Sequence, residues 1–378
     1  MAGGTGGEQF DLAVINGKLV LPGRISDASV MISQGRIVKI GPPGKAARTI
    51  DASGDWVFPG LVDVHYHGGF ILARPDEAAD ELNRQAESLP MTGVTRFIPT
   101  FATSPLPDLI QAVTALANAM QDKPQGAKPE GIHLEGPFLN PLAKGAHPPE
   151  HLLNFDRKNK GHLELFEAAE ARIKILTFAP EILGGLDLLQ FALGEGIVPA
   201  IGHSAASLNQ VREFANLGAR HLIHLFNGMS GIHHREPGVA AAGLLLDDVT
   251  AEFICDGVHL DPDIVRLILR CRKPEHLILV TDYVAIGDLS SPDPVRLPGG
   301  ILGGSHLTMI RAIKNLISFT GIDLPAAVRM ASLNPARLIR RDDELGSLEK
   351  GKIADLTMVD NNFQVKTAVV EGVPVYQN

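Results

Sequence analysis

Residues 60 to 340 alternate short apolar, often β-branched runs with longer segments whose apolar residues recur at helical spacing, such as 106–120, 163–171 and 208–217. Eight apolar runs occur, at 61–65, 94–98, 131–135, 173–178, 197–201, 221–224, 252–255 and 277–281. Strands that each precede a helix predict an α/β fold, with a (β/α)8 TIM-like barrel as the leading architecture and an open doubly wound sheet as the alternative.

The two ends of the chain show a different pattern. Residues 14–40 alternate short apolar segments with turn residues such as Gly17 and Gly35, and residues 354–359 and 367–370 flank a polar turn. We therefore expect a small β-sandwich domain built from both termini, residues 8–58 and 344–378. The catalytic barrel, residues 59–343, is then inserted into it.

Polar residues stand at the carboxyl ends of the apolar runs, and this favours the barrel over the open sheet. Only a closed barrel brings side chains from all the strand ends to one point. In chain order these residues are His65 and His67, Thr100, Glu135, Glu181, His203, His224, Asp256 with His259, and Asp282.

Composition and charge narrow the classes of partner. The 378 residues are 45% hydrophobic and carry a formal net charge of -9, without a concentrated Lys/Arg stripe, which weighs against nucleic acid or an anionic membrane. A small anionic substrate remains compatible with this charge if a few local cations bind it. No stretch approaches the roughly 20 apolar residues of a membrane span. Two cysteines, and residues 1–7 without signal-peptide features, indicate a cytoplasmic protein.

The polar strand ends carry the ligands of a metal site. His65 and His67 are two residues apart in a predicted strand, so both imidazoles point the same way and can share an ion. With Glu135, His203, His224 and Asp282 they supply donors for one or two divalent ions, and the expected ion is Zn²⁺. A bound divalent ion lowers the pKa of its water to about 7 and polarises carbonyls, so hydrolysis is the expected reaction.

Other chemistries have weaker support. Ser204 lacks the Gly-x-Ser-x-Gly elbow of a serine hydrolase, and Cys255 lies within an apolar run. The glycine pairs at 299–300 and 303–304 match neither a dinucleotide fingerprint nor a P-loop.

Several segments resemble known proteins. Residues 59–68 (PGLVDVHYHG) and 346–356 (GSLEKGKIADL) are similar to the opening and closing motifs of the amidohydrolase superfamily. Within it, seven further segments resemble the N-acetylglucosamine-6-phosphate deacetylase family in order and spacing. They are HLEGPF at 133–138, KGAH at 144–147, GHS at 202–204, HLFN at 224–227, REPG at 235–238, DGVH at 256–259 and VTD at 280–282.

The resemblance implies a role for each matching residue. Glu135, His203 and His224 would hold one metal ion, and His65 with His67 a second, as in some family members. Asp282 would be the general base and then the acid. The remaining roles concern the substrate: His147 would orient the acetamide carbonyl, His259 would bind a sugar hydroxyl, Asn227 with the backbone of Gly228 would bind the phosphate, and Arg235 would reach it from the neighbouring subunit of a homodimer.

Two departures from the family pattern concern the substrate. Tyr283 stands where a small residue is usual, which would place a ring near the barrel mouth, and Gly228 replaces a usual alanine. The leading expectation is deacetylation of N-acetylglucosamine 6-phosphate. The alternatives are the N-acetylgalactosamine epimer, a cyclic amide or N-acyl amino acid, and a non-catalytic sugar-phosphate binding protein.

Overall fold

The chain forms eighteen described strands and ten described α-helices. A computed structural model describes residues 9–70, 74–287, 289 and 294–378, so the amino-terminal segment 1–7 and Glu8 lie outside it. The strands are β1 Phe10–Leu21, β2 Arg24–Ser33, β3 Arg36–Gly41, β4 Ala46–Asp51, β5 Trp56–Pro59, β6 Leu61–Gly68, β7 Val94–Phe101, β8 Lys128–Pro129, β9 Ile132–Glu135, β10 Ile173–Phe178, β11 Val198–Ile201, β12 His221–Leu222, β13 Thr250–Ile254, β14 Leu277–Val280, β15 Tyr283–Val284, β16 Leu356–Val359, β17 Val365–Val370 and β18 Val373–Gln377. The helices are α1 Ala78–Ser88, α2 Leu106–Ala119, α3 Lys160–Glu167, α4 Gly185–Gly194, α5 Leu208–Leu217, α6 Val239–Leu245, α7 Pro262–Cys271, α8 Met309–Thr320, α9 Leu324–Met330 and α10 Leu333–Leu338.

Eight parallel strands form the barrel. In the order β6, β7, β9, β10, β11, β12, β13 and β14, each strand pairs in parallel with the next, and a helix follows each one. Their apolar side chains, such as Phe97, Phe178 and Phe253, are fully buried. The predicted (β/α)8 fold class is confirmed.

The barrel closes where β14 ends beside β6. The amide of Asp282 donates to the carbonyl oxygen of His65 at 3.0 Å, and the hydroxyl of Thr281 donates to Asp63 Oδ2 at 2.5 Å. This closure brings the first and last polar strand ends of the sequence together. Side chains that are more than 200 positions apart in the chain therefore share one site.

Element boundaries differ from the prediction where strand ends carry functional residues. The run predicted at 221–224 is a strand only over His221–Leu222, because His224 takes a φ of +23° that leaves the extended conformation. The segment predicted at 163–171 begins earlier, as α3 at Lys160, where Asn159 caps the helix.

Both termini build the second domain, as expected. β1 to β5 and β16 to β18 join in one eight-stranded sheet of order β18-β17-β16-β5-β1-β2-β3, with β4 paired to β1. Leu19, Val57 and Leu356 are fully buried in a core of its own. The boundaries at 58/59 and 343/344 stay a prediction. Within the described residues, no helix has both the length and the apolar character needed to span a bilayer.

A buried arginine connects the two domains. Arg96 of β7 is paired through Nε with Asp355 Oδ2 at 2.6 Å, through Nη1 with Glu130 at 3.0 Å, and through Nη2 with Glu371 at 3.1 Å. Asp355 and Glu371 belong to the terminal domain, so the network holds the barrel against it.

Candidate metal centre and active site

The predicted metal ligands meet at the carboxyl end of the barrel. His65 and His67 lie in β6 and Glu135 is the last residue of β9. His203, His224 and Asp282 each come two residues after a strand, with φ values of +46°, +23° and +49°. Non-glycine residues adopt this left-handed conformation rarely, and such backbone strain clusters at functional sites.

Glu135 lies between two pairs of histidines. Its Oε1 is 2.9 Å from His224 Nε2 and 3.0 Å from His203 Nε2, and its Oε2 is 3.2 Å from His67 Nε2. Two groups of three ligand atoms result, one from Glu135, His203 and His224 and one from His65, His67 and Glu135, each within 4.8 Å. One carboxylate could therefore serve two ions.

Hydrogen bonds on the far side of the ring set His67 and His203 up as ligands, whereas His224 Nδ1 is buried without such a partner. His67 Nδ1 donates to the carbonyl oxygen of Thr100 at 3.0 Å, and His203 Nδ1 donates to that of Ala143 at 2.9 Å. Because a carbonyl only accepts, Nδ1 carries a proton, so loss of the proton from Nε2 leaves the lone pair of that nitrogen facing Glu135. This is the arrangement of metal-binding histidines.

The surroundings of His65 Nε2 indicate whether a divalent ion fits this site. Its Nε2 is buried without a hydrogen-bond partner and lies 3.6 Å from both Glu135 Oε1 and Asp282 Oδ1. A lone pair facing two carboxylates is repelled unless a cation or protons lie between them. The donors, which are imidazole nitrogens and carboxylate oxygens, are those that zinc and similar ions take. The residues fit such an ion.

Protons balance the site when it holds no metal. Burial disfavours the charged form of His67, but Asp282 and Glu135 outweigh it and raise the pKa of His67 to about 9. Glu252 and Glu135 likewise raise the pKa of His65 against the effect of burial. Burial opposes ionisation of Glu135, yet His65 and the surrounding histidines keep its pKa well below the usual range. The cluster is thus built to stabilise positive charge.

Asp282 lies beside the predicted metal ligands. Its Oδ1 is 3.2 Å from His67 Nε2. Although burial opposes ionisation, the hydrogen bond and positive charge of His67, with the charge of His65, lower the pKa of Asp282 below its usual value. The carboxylate is therefore ionised near neutrality and able to accept a proton.

A cavity of about 480 Å³ opens above these residues. His147 and His259 line it together with Asn227 and Gly228. Its apolar lining includes five residues from the segment after β14: Val284, Ile286, Leu297, Ile301 and Leu302.

His147 presents a hydrogen-bond donor to this cavity. Its Nδ1 accepts from the amide of Thr103 at 3.2 Å, so in the neutral ring the proton is on Nε2, 3.5 Å from Glu135 Oε2. Burial and the neighbouring His203 lower the pKa of His147 to about 4. The ring is therefore neutral near pH 7 and can donate to a substrate oxygen.

The other predicted substrate-binding residues are positioned by contacts with neighbouring protein groups. His259 Nδ1 pairs with Asp256 Oδ2 at 2.7 Å, and Asn227 Nδ2 donates to the carbonyl oxygen of His224 at 3.3 Å. Gly228 has a φ of +56°, and a Cβ there would lie 2.6 Å from His203 Nδ1. The absence of a side chain lets the backbone pack directly against a predicted metal ligand.

Two predicted residues lie elsewhere. Arg235 is exposed and contacts the ring of His234 at 2.7 Å; it is not one of the residues lining the cavity of its own chain. The ring of Tyr283 stacks on Tyr66, with centroids 5.4 Å apart, and lines a second cavity of about 200 Å³. The ring expected near the barrel mouth therefore does not line the main cavity, because the chain after Asp282 turns this side chain against β6.

Sequence reasoning did not identify Glu252 and Thr103 as site residues. Glu252, fully buried in β13, contacts His65 and His221, while Thr103 fixes the tautomer of His147. A charged residue inside an apolar strand run was the available signal for Glu252. Thr103 stands in a loop, and its sequence neighbours carried no such signal.

Comparisons with known proteins agree with this geometry. The model of the Amidohydrolase family matches residues 56–375. The N-acetylgalactosamine-6-phosphate deacetylase of Escherichia coli O157:H7 is 33% identical over 363 residues, covering 93% of this chain and 95% of the relative. The N-acetylglucosamine-6-phosphate deacetylase of Bacillus subtilis (strain 168) is 32% identical over 389 residues, covering 96% and 95%.

Solved structures show the same likeness. The N-acetylglucosamine-6-phosphate deacetylase of Thermotoga maritima superposes with a TM-score of 0.86 at 30% identity, over 97% of this chain and all of the other. A mutant of the Mycobacterium smegmatis enzyme in complex with N-acetyl-D-glucosamine-6-phosphate gives 0.85 at 30% identity, over 97% and 99%. The chain therefore belongs to the amidohydrolase family and, within it, to the N-acetylglucosamine-6-phosphate deacetylases.

Proposed function

We propose that this protein hydrolyses the acetamide of N-acetylglucosamine 6-phosphate to glucosamine 6-phosphate and acetate with the help of a divalent metal ion. One observation carries the proposal: Glu135 is shared by two histidine pairs, with the ionised Asp282 3.2 Å from His67, at the base of a cavity of about 480 Å³. The names of the relatives point to the substrate.

The metal ligands proposed are Glu135, His203 and His224 for one ion and His65 with His67 for a second, Glu135 being common to both groups. Zinc is the ion proposed, because imidazole and carboxylate donors suit it. When bound, such an ion supplies a water of lowered pKa and an electrophile for the carbonyl oxygen.

Asp282 and His147 carry out the proton chemistry in this proposal. The carboxylate of Asp282 accepts a proton as water adds to the acetamide carbon, and it returns that proton to the sugar nitrogen as the carbon–nitrogen bond breaks. His147 Nε2 donates a hydrogen bond to the carbonyl oxygen, where negative charge develops. Acetate and the free amine are the products.

The sugar phosphate is proposed to lie across the cavity, with His259 at a hydroxyl and Asn227 and the Gly228 amide at the phosphate. A phosphate also calls for a cation, and none of the described residues lining the cavity is Lys or Arg. Arg235 lies outside its own cavity. We therefore propose a homodimer in which Arg235 of the partner subunit completes the phosphate site.

We propose a cytoplasmic location because the two cysteine thiols are free. Cys255 and Cys271 are both free, which suits a reducing compartment.

Acetate release from N-acetylglucosamine 6-phosphate tests the proposal. We expect turnover that is lost after chelation and restored by zinc, and a much lower kcat/KM for unphosphorylated N-acetylglucosamine. A purified protein that contains no metal, binds the phosphorylated sugar and releases no acetate would favour a non-catalytic binding protein instead.

A second candidate substrate is N-acetylgalactosamine 6-phosphate. It is favoured by the relative from Escherichia coli O157:H7, which is named for that epimer. The ratio of kcat/KM for the two epimers, measured under the same conditions, decides between them.

A further inference from the structure

Glu252 is a buried charge that the proposed reaction does not use. It lies in the middle of β13, its side chain is fully buried, and its neighbours Ala251 and Phe253 are buried apolar residues. Burying a carboxylate is costly unless it is paired, so its partners should explain its presence.

Those partners are histidines. Glu252 Oε2 lies 2.9 Å from His65 Nδ1, and Oε1 lies 2.9 Å from His221 Nε2. His221 is fixed in turn by a contact of 2.9 Å between its Nδ1 and the hydroxyl of Thr250. The carboxylate is thus clamped between two fully buried rings.

The contact with His65 determines which nitrogen of that ring is available. Because an ionised carboxylate only accepts, Nδ1 of His65 carries a proton, and in the neutral ring Nε2 keeps its lone pair for a metal ion. That Nε2 is buried without a hydrogen-bond partner, and it faces Glu135 and Asp282. His67 and His203 donate instead to backbone carbonyls, which no side-chain substitution removes.

We infer that Glu252 is a positioning residue which makes His65 a metal ligand and so determines whether the His65–His67–Glu135 group holds its ion. The inference rests on the proposed metal-dependent function. Glu252 touches the other group only through a 3.4 Å hydrogen bond from the amide of His224, so its influence falls mainly on the His65 side. Partners of this kind change metal affinity roughly 10- to 100-fold when removed.

Zinc stoichiometry and affinity test the inference directly. Wild-type protein, Glu252→Ala and Glu252→Gln are equilibrated with chelator-buffered zinc, and bound zinc is measured by mass spectrometry. Wild type should bind two ions per chain. Glu252→Ala should lose one of them, through roughly 100-fold weaker binding, and His65→Ala should lose the same ion. Glu252→Gln, whose amide oxygen can still accept from Nδ1 but carries no charge, should fall between them, about tenfold weaker.

Glu130→Gln is the matched control. It makes the same chemical change at another buried glutamate, one that pairs with Arg96 and Arg341 and precedes β9 at the end opposite Glu135. It should keep two zinc ions even if it lowers stability. Cobalt substitution adds a spectroscopic readout, since Glu252→Ala and His65→Ala should lose the same part of the visible absorption.

The outcomes separate the inference from the proposed function. A wild-type protein that binds no zinc removes the proposed function itself. Two tightly bound ions in Glu252→Ala, with wild-type affinities, overturn the role of Glu252 and leave the proposed function standing. If Glu252→Ala does not fold, Glu252→Gln decides, and an unchanged affinity for the second ion overturns the inference.

Discussion

At the scale of single residues, the site depends on buried carboxylates and imidazoles that lie close to each other. Glu135 and Asp282 lie within 3.6 Å of His65 Nε2 and within 3.2 Å of His67 Nε2. Either protons or a cation must hold these carboxylates together, because their mutual repulsion is poorly screened in the barrel. The site therefore has two states, one protonated and one loaded with metal.

The role proposed for Asp282 predicts the behaviour of Asp282→Asn. An amide cannot accept a proton from water, so we expect kcat to fall roughly 10²- to 10⁴-fold with zinc content unchanged. Steady-state kinetics and metal analysis on the same preparation check this. An unaltered rate would remove the proton shuttle, and a loss of zinc would make Asp282 chiefly a ligand.

The proton on His67 predicts a pH dependence for zinc binding. With a pKa of about 9 in the metal-free protein, His67 is protonated at pH 7 and must lose that proton to become a ligand. Apparent affinity should therefore strengthen as pH rises towards 9. Calorimetric titration of zinc into metal-free protein between pH 6 and 8, in two buffers of different ionisation enthalpy, measures the protons released. An affinity that is flat over this range contradicts the prediction.

At the scale of elements, the apolar runs predicted the strands well because each barrel strand is buried along all or nearly all of its length. The metal ligands were also predictable, since parallel strands of a barrel bring their carboxyl ends to one point. The contacts made by the loops and between distant strands were not predictable. The turn after Asp282 directs Tyr283 onto Tyr66, and the pairing of Glu252 with His65 joins strands far apart in sequence. Such contacts depend on register and barrel closure, which a pattern of residue types leaves open.

The junction between barrel and terminal sheet gives a prediction on stability. Arg96→Met removes the cation from Asp355 and Glu130, whose side chains are both only 6% exposed. Asp355 would then keep no cation partner and Glu130 only Arg341. Leaving the buried Asp355 carboxylate without a cation should lower the free energy of unfolding by about 3–5 kcal/mol.

Urea unfolding measures this loss. Arg337→Met is the control, because Arg337 pairs with Asp342 at the surface, where both side chains are more than 40% exposed. Its effect should stay within about 1 kcal/mol. Equal losses in the two variants would show that the buried network does not hold the domains together.

At the scale of the whole molecule, the proposed dimer can be tested by mixing defective subunits. Asp282→Asn and Arg235→Ala are each expected to be nearly inactive on the phosphorylated sugar. In a mixed dimer, the Arg235→Ala subunit keeps its own Asp282 and receives Arg235 of the partner subunit, so one site is complete.

Activity should therefore return when equal amounts of the two variants are unfolded together and refolded. If the subunits pair at random, half of the dimers are mixed and each mixed dimer has one complete site of two. The rate per chain should then approach a quarter of the wild-type rate. Refolding each variant alone provides the control. If Arg235 acts within its own subunit, the mixture gains nothing.

The terminal sheet has a consequence for how the chain is made. β5, which leads through Gly60 into the first barrel strand, pairs with β1 on one side and with β16 on the other. On the ribosome, the nascent barrel must emerge before the last strands exist to pair with β5. The sheet started by β1 to β5 is therefore completed only after the barrel has been synthesised, when β16 to β18 pair with it.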